Sequence, residues 1–380
     1  MDHAMLEPKI RQISERLKNL QRPDWEEENL RKVTDETERK TLGLFPRDFG
    51  MEPWDWPQGV GLYGMGKFYQ YTGDESIRDY IRDWFEQHIK GTLPRRNINT
   101  TCPLLTLADF AAEKPEYKAL CDDWAEWLMK NLPRTEEGGF QHTTTKDAAS
   151  GTLNMNDGQI WIDTLFMSVL FLAKWGIRTN NAAYCAEAEH QFLMMIKYLY
   201  EKRTGLFYHA WSFVEKGNFG EIFWCRGNSW YTAASMDFME IMGDRLDPAV
   251  RDIIKDTYKA QVNALLACQD PTGLWHTVLD DADSYLETSG SAAMAYGILK
   301  GIHMDILGEE YHQAAEKAVH GILGQIREDG TVLGVSAGTA VGRNADHYKG
   351  IKTAPMAYGQ SLCIMALAEA MNEDPSESKE

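Results

Sequence analysis

Two kinds of helical segment alternate along the chain, and that alternation limits the fold more than any single motif does. Residues 59–72, GVGLYGMGKFYQYT, are rich in glycine and carry one charge; residues 74–90, DESIRDYIRDWFEQHIK, are charged, with Ile77, Ile81, Trp84, Phe85 and Ile89 on one stripe. A helix that is apolar all round must be buried, whereas a single apolar stripe lets the opposite face meet water. The pair therefore reads as an inner helix followed by an outer one. The pattern returns as INTTCPLLTLADFAA before PEYKALCDDWAEWLMK, and as IWIDTLFMSVLFLAKWG before NAAYCAEAEHQFLMMIKYLYE. It returns again as GNSWYTAASMDFMEIMG before DPAVRDIIKDTYKAQVNALLAC, and as TSGSAAMAYGILKGIHM before GEEYHQAAEKAVHGILGQIRE. A sixth apolar helix, TAPMAYGQSLCIMALAEAM, has no partner after it, and a helix predicted over residues 5–20 supplies one.

Six inner and six outer helices, the first closing beside the last, define an all-α (α/α)6 barrel. An open solenoid of the same pairs would leave the apolar helices 289–299 and 354–368 uncovered, and no polar capping repeat protects them. Without a Pro/Gly/Ser-rich linker, residues 1–373 read as one barrel domain and residues 374–380 as a charged tail. In such a ring every outer-to-inner connection emerges at one end, where the N-termini of the inner helices converge. Those connections are long and carry aromatics and histidines: GLFPRDFGMEPWDWPQ, GGFQHTTTKDAASGTLNMNDGQ, GLFYHAWSFVEKGNFGEIFWCR, GLWHTVLDDADSYLE and GTVLGVSAGTAVGRNADHYKG. The turns at the other end, such as YTGDE and MGDRLDP, are short. Chemistry is thus expected at one mouth of the barrel.

Charge and cysteine usage exclude several functions. With 57 acidic and 39 basic residues the net charge is −18, which disfavours nucleic acid and anionic membrane as partners. An anionic substrate would need a local pocket. No window is long and apolar enough to span a bilayer and the first residues lack a signal-peptide run, so the expected location is cytoplasmic. The six cysteines are widely spaced without a CxxC pair and read as buried thiols. No HExxH, EF-hand loop, Walker loop or GxSxG elbow is present, and Gly61, Gly64 and Gly66 fall inside an apolar helix where close packing is their use. No metal and no cofactor are expected.

The residues that could carry chemistry sit at the starts of inner helices. Asp163 opens a run that is apolar for a dozen residues, where desolvation and the helix N-terminus pull its pKa in opposite directions. Asp157, in NMNDG, suits a turn. Arg226 begins the next inner helix, with Trp230 one turn further on the same face; an Arg beside an aromatic wall can bind a carboxylate and support a sugar ring. His142, His209 and His276 recur in corresponding mouth loops. Trp56, from the first such loop, joins them.

WDWPQGVGLYGM, NINTTCPLL, WIDTLFM, GLFYHAW, RGNSW and GLWHTV occur in the order seen in unsaturated rhamnogalacturonyl hydrolases, glycoside hydrolase family 105, with the unsaturated glucuronyl hydrolases of family 88 as relatives. The resemblance covers roughly residues 40–370. It implies a cytoplasmic enzyme, monomer or homodimer, acting on oligosaccharides that carry a 4,5-unsaturated uronic acid at the non-reducing end. By matching position it implies Asp163 as general acid and base, with Trp161, His209, Arg226 and Trp230 lining the sugar subsite. Asn99 stands where some relatives carry a second carboxylate. A sugar epimerase on the same fold, using His209 and His276, and a non-enzymatic helical scaffold are the competing readings.

Overall fold

The computed structural model describes residues 3–20, 50–147 and 149–372. The expected tail, and the GLFPRDF part of the first mouth loop, lie outside the described residues. Among the described residues fourteen α-helices make up most of the structure: α1 (His3–Lys18), α2 (Trp56–Thr72), α3 (Glu75–Lys90), α4 (Ile98–Thr101), α5 (Leu104–Phe110), α6 (Pro115–Lys130) and α7 (Leu170–Arg178) form the first half of the ring. The second half comprises α8 (Ala182–Leu199), α9 (Cys225–Met242), α10 (Pro248–Ala267), α11 (Thr288–His303), α12 (His312–Leu323), the short α13 (Ala345–Lys349) and α14 (Ala357–Glu369).

The ring closes. Inner helix α2 packs on α4 and α5, α5 on α7, α7 on α9, α9 on α11, α11 on α14, and α14 back on α2. Each outer helix leans on the inner helix before it, and α1 covers α14, the pairing that distinguishes a barrel from an open solenoid. The stripe on α3 behaves as its spacing requires, with Ile77, Ile81, Trp84 and Phe85 buried. Missing side chains let the inner helices approach: a Cβ on Gly297 would lie 2.6 Å from the Thr232 carbonyl of α9, and one on Gly64 would run into Ser361 of α14.

Helix starts follow local chemistry. Asp55 caps α2 by accepting from the Trp56 N–H, with Pro57 in the first turn; Asn181 and Asp247 cap α8 and α10 in the same way. The second inner element departs from the sequence expectation of one continuous helix. It is split into α4 and α5 at Cys102–Pro103, because proline has no N–H to continue the ladder. The mouth loops also contain short antiparallel strand pairs that periodicity did not reveal: β1 (Thr144–Asp147) with β2 (Thr152–Asn154), β3 (Gln159–Trp161) with β6 (Ala210–Ser212), β4 (Tyr200–Glu201) with β5 (Leu206–Phe207), and β7 (Trp275–His276) with β8 (Leu286–Glu287). These hairpins aim the functional side chains.

Candidate active site

A pocket of about 320 Å³ opens at the mouth, lined by Trp56, Asn99, His142, Trp161, Asp163 and Arg226 together with Trp224, Phe219 and the 338–343 segment. The β3–β6 register builds its centre. Trp161 lies opposite Ala210, and the ladder continues with the Ile162 N–H donating to the His209 carbonyl at 3.0 Å. The next residue, Asp163, therefore meets His209 across the pair, with Oδ2 3.2 Å from Nε2. Asp163 then enters the helix, its carbonyl accepting from Phe166 and Met167. A π-helical turn, Leu165–Val169, follows at once, a distortion often found where a helix re-aims a functional group.

Burial alone would push the Asp163 carboxyl up; the His209 imidazole, and more weakly His142, outweigh it and hold the group below the ordinary carboxylate range. His209 is pushed down by burial, with the Asp163 charge opposing. The resting pair is therefore a carboxylate beside a neutral imidazole. The two facing atoms are buried, sit outside hydrogen-bond geometry with each other, and have no other partner within the described residues. His142 is pushed down to about 4 by burial, against the pull of Asp163, and is neutral as well. Its Nδ1 lies 2.8 Å from Thr164 Oγ1, and its ring stacks on Trp161 at 4.4 Å with planes 8° apart. The indole thus becomes a fixed wall beside the carboxylate.

Arg226 lines the pocket, and its guanidinium is bonded from within the protein. Its side chain is 1% exposed, sandwiched between Trp224 and Tyr358, and it donates to the Ser336 and Ala337 carbonyls and to Thr339 Oγ1, each at 2.9 Å. It also bonds the Ser336 hydroxyl and lies 3.7 Å from Glu287. Glu287 in turn caps α11 and accepts from the Ser336 N–H. The guanidinium is a clamp on the 336–339 segment, which carries the pocket wall.

Of the nine residues singled out in the sequence, six face the pocket. His209 stands directly behind Asp163 at 2% exposure. Trp230 does not reach the pocket wall: one turn deeper than Arg226, it is fully buried between Trp56 and Phe166. His276 is elsewhere, bonded to the Ser284 carbonyl at 2.5 Å and paired with Asp270 at 3.4 Å, because its own hairpin turns it away. Sequence reasoning missed Trp224 and Tyr348. The first adjoins RGNSW, which was signal enough; the second is joined to the site only by the fold. All six cysteines are unpaired, five of them buried. Among the described residues no group of three His, Cys, Asp or Glu could hold a metal ion, and no helix is long and apolar enough to cross a membrane.

A closed (α/α)6 ring with a carboxylate in an aromatic-walled mouth pocket defines a carbohydrate-active helical barrel. Residues 29–373 match Glycosyl Hydrolase Family 88, and the chain belongs to that family and is a glycoside hydrolase. It is 33% identical over 347 residues to the unsaturated rhamnogalacturonyl hydrolase YesR of Bacillus subtilis, covering 90% of this chain and 95% of that protein. An unsaturated 3S-rhamnoglycuronyl hydrolase of Formosa agariphila is 24% identical over 298 residues, covering 75% and 77%. A solved structure described as a possible GH105 member, from Salmonella enterica serovar Paratyphi A, superposes with a TM-score of 0.87 at 38% identity over 98% of this chain and 94% of that one. Family membership sets aside the epimerase and scaffold readings.

Proposed function

We propose that the enzyme releases a 4,5-unsaturated uronic acid from the non-reducing end of lyase-generated oligosaccharides by hydrating the vinyl ether, with Asp163 as both acid and base. The observation that carries this reading is the count of carboxylates. Among the described residues lining the pocket Asp163 is the one acid. Direct hydrolysis of a glycosidic bond calls for two carboxyl groups straddling it. Hydration needs one. The Asp163 carboxyl gives its proton to C4, leaving an oxocarbenium-like centre at C5; the carboxylate then takes a proton from water as the oxygen adds to C5. The hemiketal opens and expels the neighbouring sugar, and Asp163 ends as it began.

The resting carboxylate must first gain a proton, and an anionic substrate supplies the reason. A uronate closing the pocket brings a like charge and displaces water, both of which raise a carboxyl pKa. With its Nη donors committed to the 336–339 segment, Arg226 serves the substrate by shaping that wall. Trp161, braced by His142, offers a flat face to a sugar ring.

Turnover of a lyase-made disaccharide in heavy water tests the reading. Loss of the alkene absorbance should accompany incorporation of one deuterium at C4 of the early product, on a single face, and a saturated disaccharide of the same linkage should be inert. Cleavage of the saturated compound at a comparable rate, or product without C4 deuterium, would return the enzyme to two-carboxylate hydrolysis.

A further inference from the structure

We propose that Tyr348 is a positioning residue for Asp163, acting through His209: its hydroxyl selects the imidazole tautomer that presents Nε2–H to the carboxylate. The proposal rests on the reading of Asp163 as acid and base. Tyr348 lies on α13, more than a hundred residues from His209 in sequence, and is 1% exposed against Trp224 and Val278. Among the described residues its Oη has two hydrogen-bond neighbours. The Gly342 N–H donates to it at 3.1 Å, and His209 Nδ1 lies 2.9 Å away.

The direction of the second bond follows from the first. A backbone N–H can only donate, so Oη is an acceptor toward Gly342 and its own proton is left for Nδ1. The reverse arrangement, Nδ1–H donating to Oη, would strand a buried phenolic proton. It would also set a bare Nε2 lone pair 3.2 Å from Asp163 Oδ2. The other tautomer keeps the phenolic proton bonded and turns an N–H, not a lone pair, toward the carboxylate. Burial pushes the Tyr348 phenol well above its usual range, so it remains a donor throughout the working pH span.

The consequence concerns where the catalytic proton rests. With Nε2–H against Oδ2, a proton acquired by Asp163 settles on the other oxygen and is free to move to substrate. A bare Nε2 would accept that proton and hold it away from C4. Charged and titratable neighbours act on the pair as well: Arg226 and His347 face His209, and His142 faces Asp163. None of them bonds Nδ1. Tyr348 also holds Gly342, within the pocket-lining segment, so a simple anchoring role must be separated from the positioning role.

Nitrogen-15 NMR of the imidazoles separates them, with His209→Gln used to assign the His209 resonances. Wild type should show a neutral ring protonated at Nε2; protonation at Nδ1 overturns the proposal without any further variant. Tyr348→Phe keeps the aromatic packing and should shift the ring toward mixed tautomers. It should also lower kcat about ten-fold, move the basic limb of the kcat–pH profile, and leave KM within about three-fold. In the His209→Gln background, whose amide has no tautomer to select, adding Tyr348→Phe should change kcat less than about two-fold. A rise in KM alone, or an unchanged tautomer and kcat in Tyr348→Phe, makes Tyr348 a loop anchor and sinks the idea. The tautomer measurement needs no substrate, so failure of the vinyl-ether reading would show separately, as wild-type enzyme that leaves the alkene absorbance untouched.

Discussion

Two aspartates sit at opposite ends of the inner ring, one fully buried and one partly open to the pocket, and their surroundings differ in kind. Asp237 lies in the C-terminal half of α9, eleven residues and roughly 16 Å along the helix from Arg226. It is fully buried, and its Oδ1 accepts from Lys300 at 2.7 Å and Tyr296 at 2.6 Å, with Lys67 at 3.6 Å. Burial opposes its charge, yet Lys300 and Lys67 hold it far below the carboxylate range. Beside it Glu240 takes Lys300, and Glu369 takes Tyr71 and His303. Asp163 at the mouth has one neutral imidazole at poor geometry and a 16% exposed side chain. Asp237 is spent on holding helices together through two lysines and a tyrosine; Asp163 has no lysine or arginine partner among the described residues and keeps a path to the pocket. The partners, more than the difference in exposure, tell the two apart.

The sharpest test exchanges an amide for each acid in turn. Asp163→Asn should cut turnover by about 10²- to 10⁴-fold, since the amide moves no proton, and shift stability by less than about 1 kcal/mol. Asp237→Asn should do the converse, costing about 3–5 kcal/mol because it strips one partner from a buried ionic cluster; activity per folded molecule should persist. Calorimetry with kinetics on both variants decides. If both lose activity with stability intact, the two ends are not distinct in role.

Acid titration sharpens the contrast next. His142 has a folded pKa depressed to about 4, while the unfolded chain titrates near 6.5. A depressed group contributes its full stability above the unfolded value and loses it as pH falls toward the folded one, so the mouth should weaken between about pH 6.5 and pH 4 by about 3 kcal/mol. His142→Gln should flatten the pH dependence of Tm across that window. Asp237 is also depressed and so contributes above its unfolded value, near 3.9; the far-end network should give way only at lower pH. A Tm slope unchanged by His142→Gln would show that His142 is protonated in the fold.

Arg226→Lys should cost about 2 kcal/mol and lower kcat/KM roughly ten-fold, because an ammonium cannot replace a planar fork held by several backbone and hydroxyl oxygens. Wild-type kinetics in that variant would show that the 336–339 segment needs no clamp. The smallest effect is expected at His276, where Gln should change kcat by less than two-fold and stability by about 1 kcal/mol at most. A larger kinetic loss there would restore it to the site.

Much of this was readable from residues alone, and the failures share one cause. Helix identity depends on spacing within a segment, so the inner and outer series were legible, as was Asp163, an acid at the head of an apolar run. Which loop histidine faces the pocket depends on hairpin register, which spacing does not report. Trp161 opposite Ala210 brings His209 to Asp163, whereas His276 opposite Leu286 leaves its ring to Asp270. Trp230 shares a face with Arg226, but a face says nothing about depth. Tyr348 depends on a contact across 139 positions, invisible without the closed ring.

The pairing of α1 with α14 also bears on how the molecule is made. During synthesis α1 emerges before its partner, with Leu6, Ile10, Ile13 and Leu17 destined for full burial, while the first residue of α14 follows roughly 350 residues later. At about 5–20 residues per second that is a wait of about 20–70 s, during which an apolar stripe has no native partner. Until α14 arrives the Trp56–Tyr358 stack cannot form and the pocket lacks that support. Translation itself keeps the site unfinished: a nascent chain has no working mouth until nearly every helix has left the ribosome.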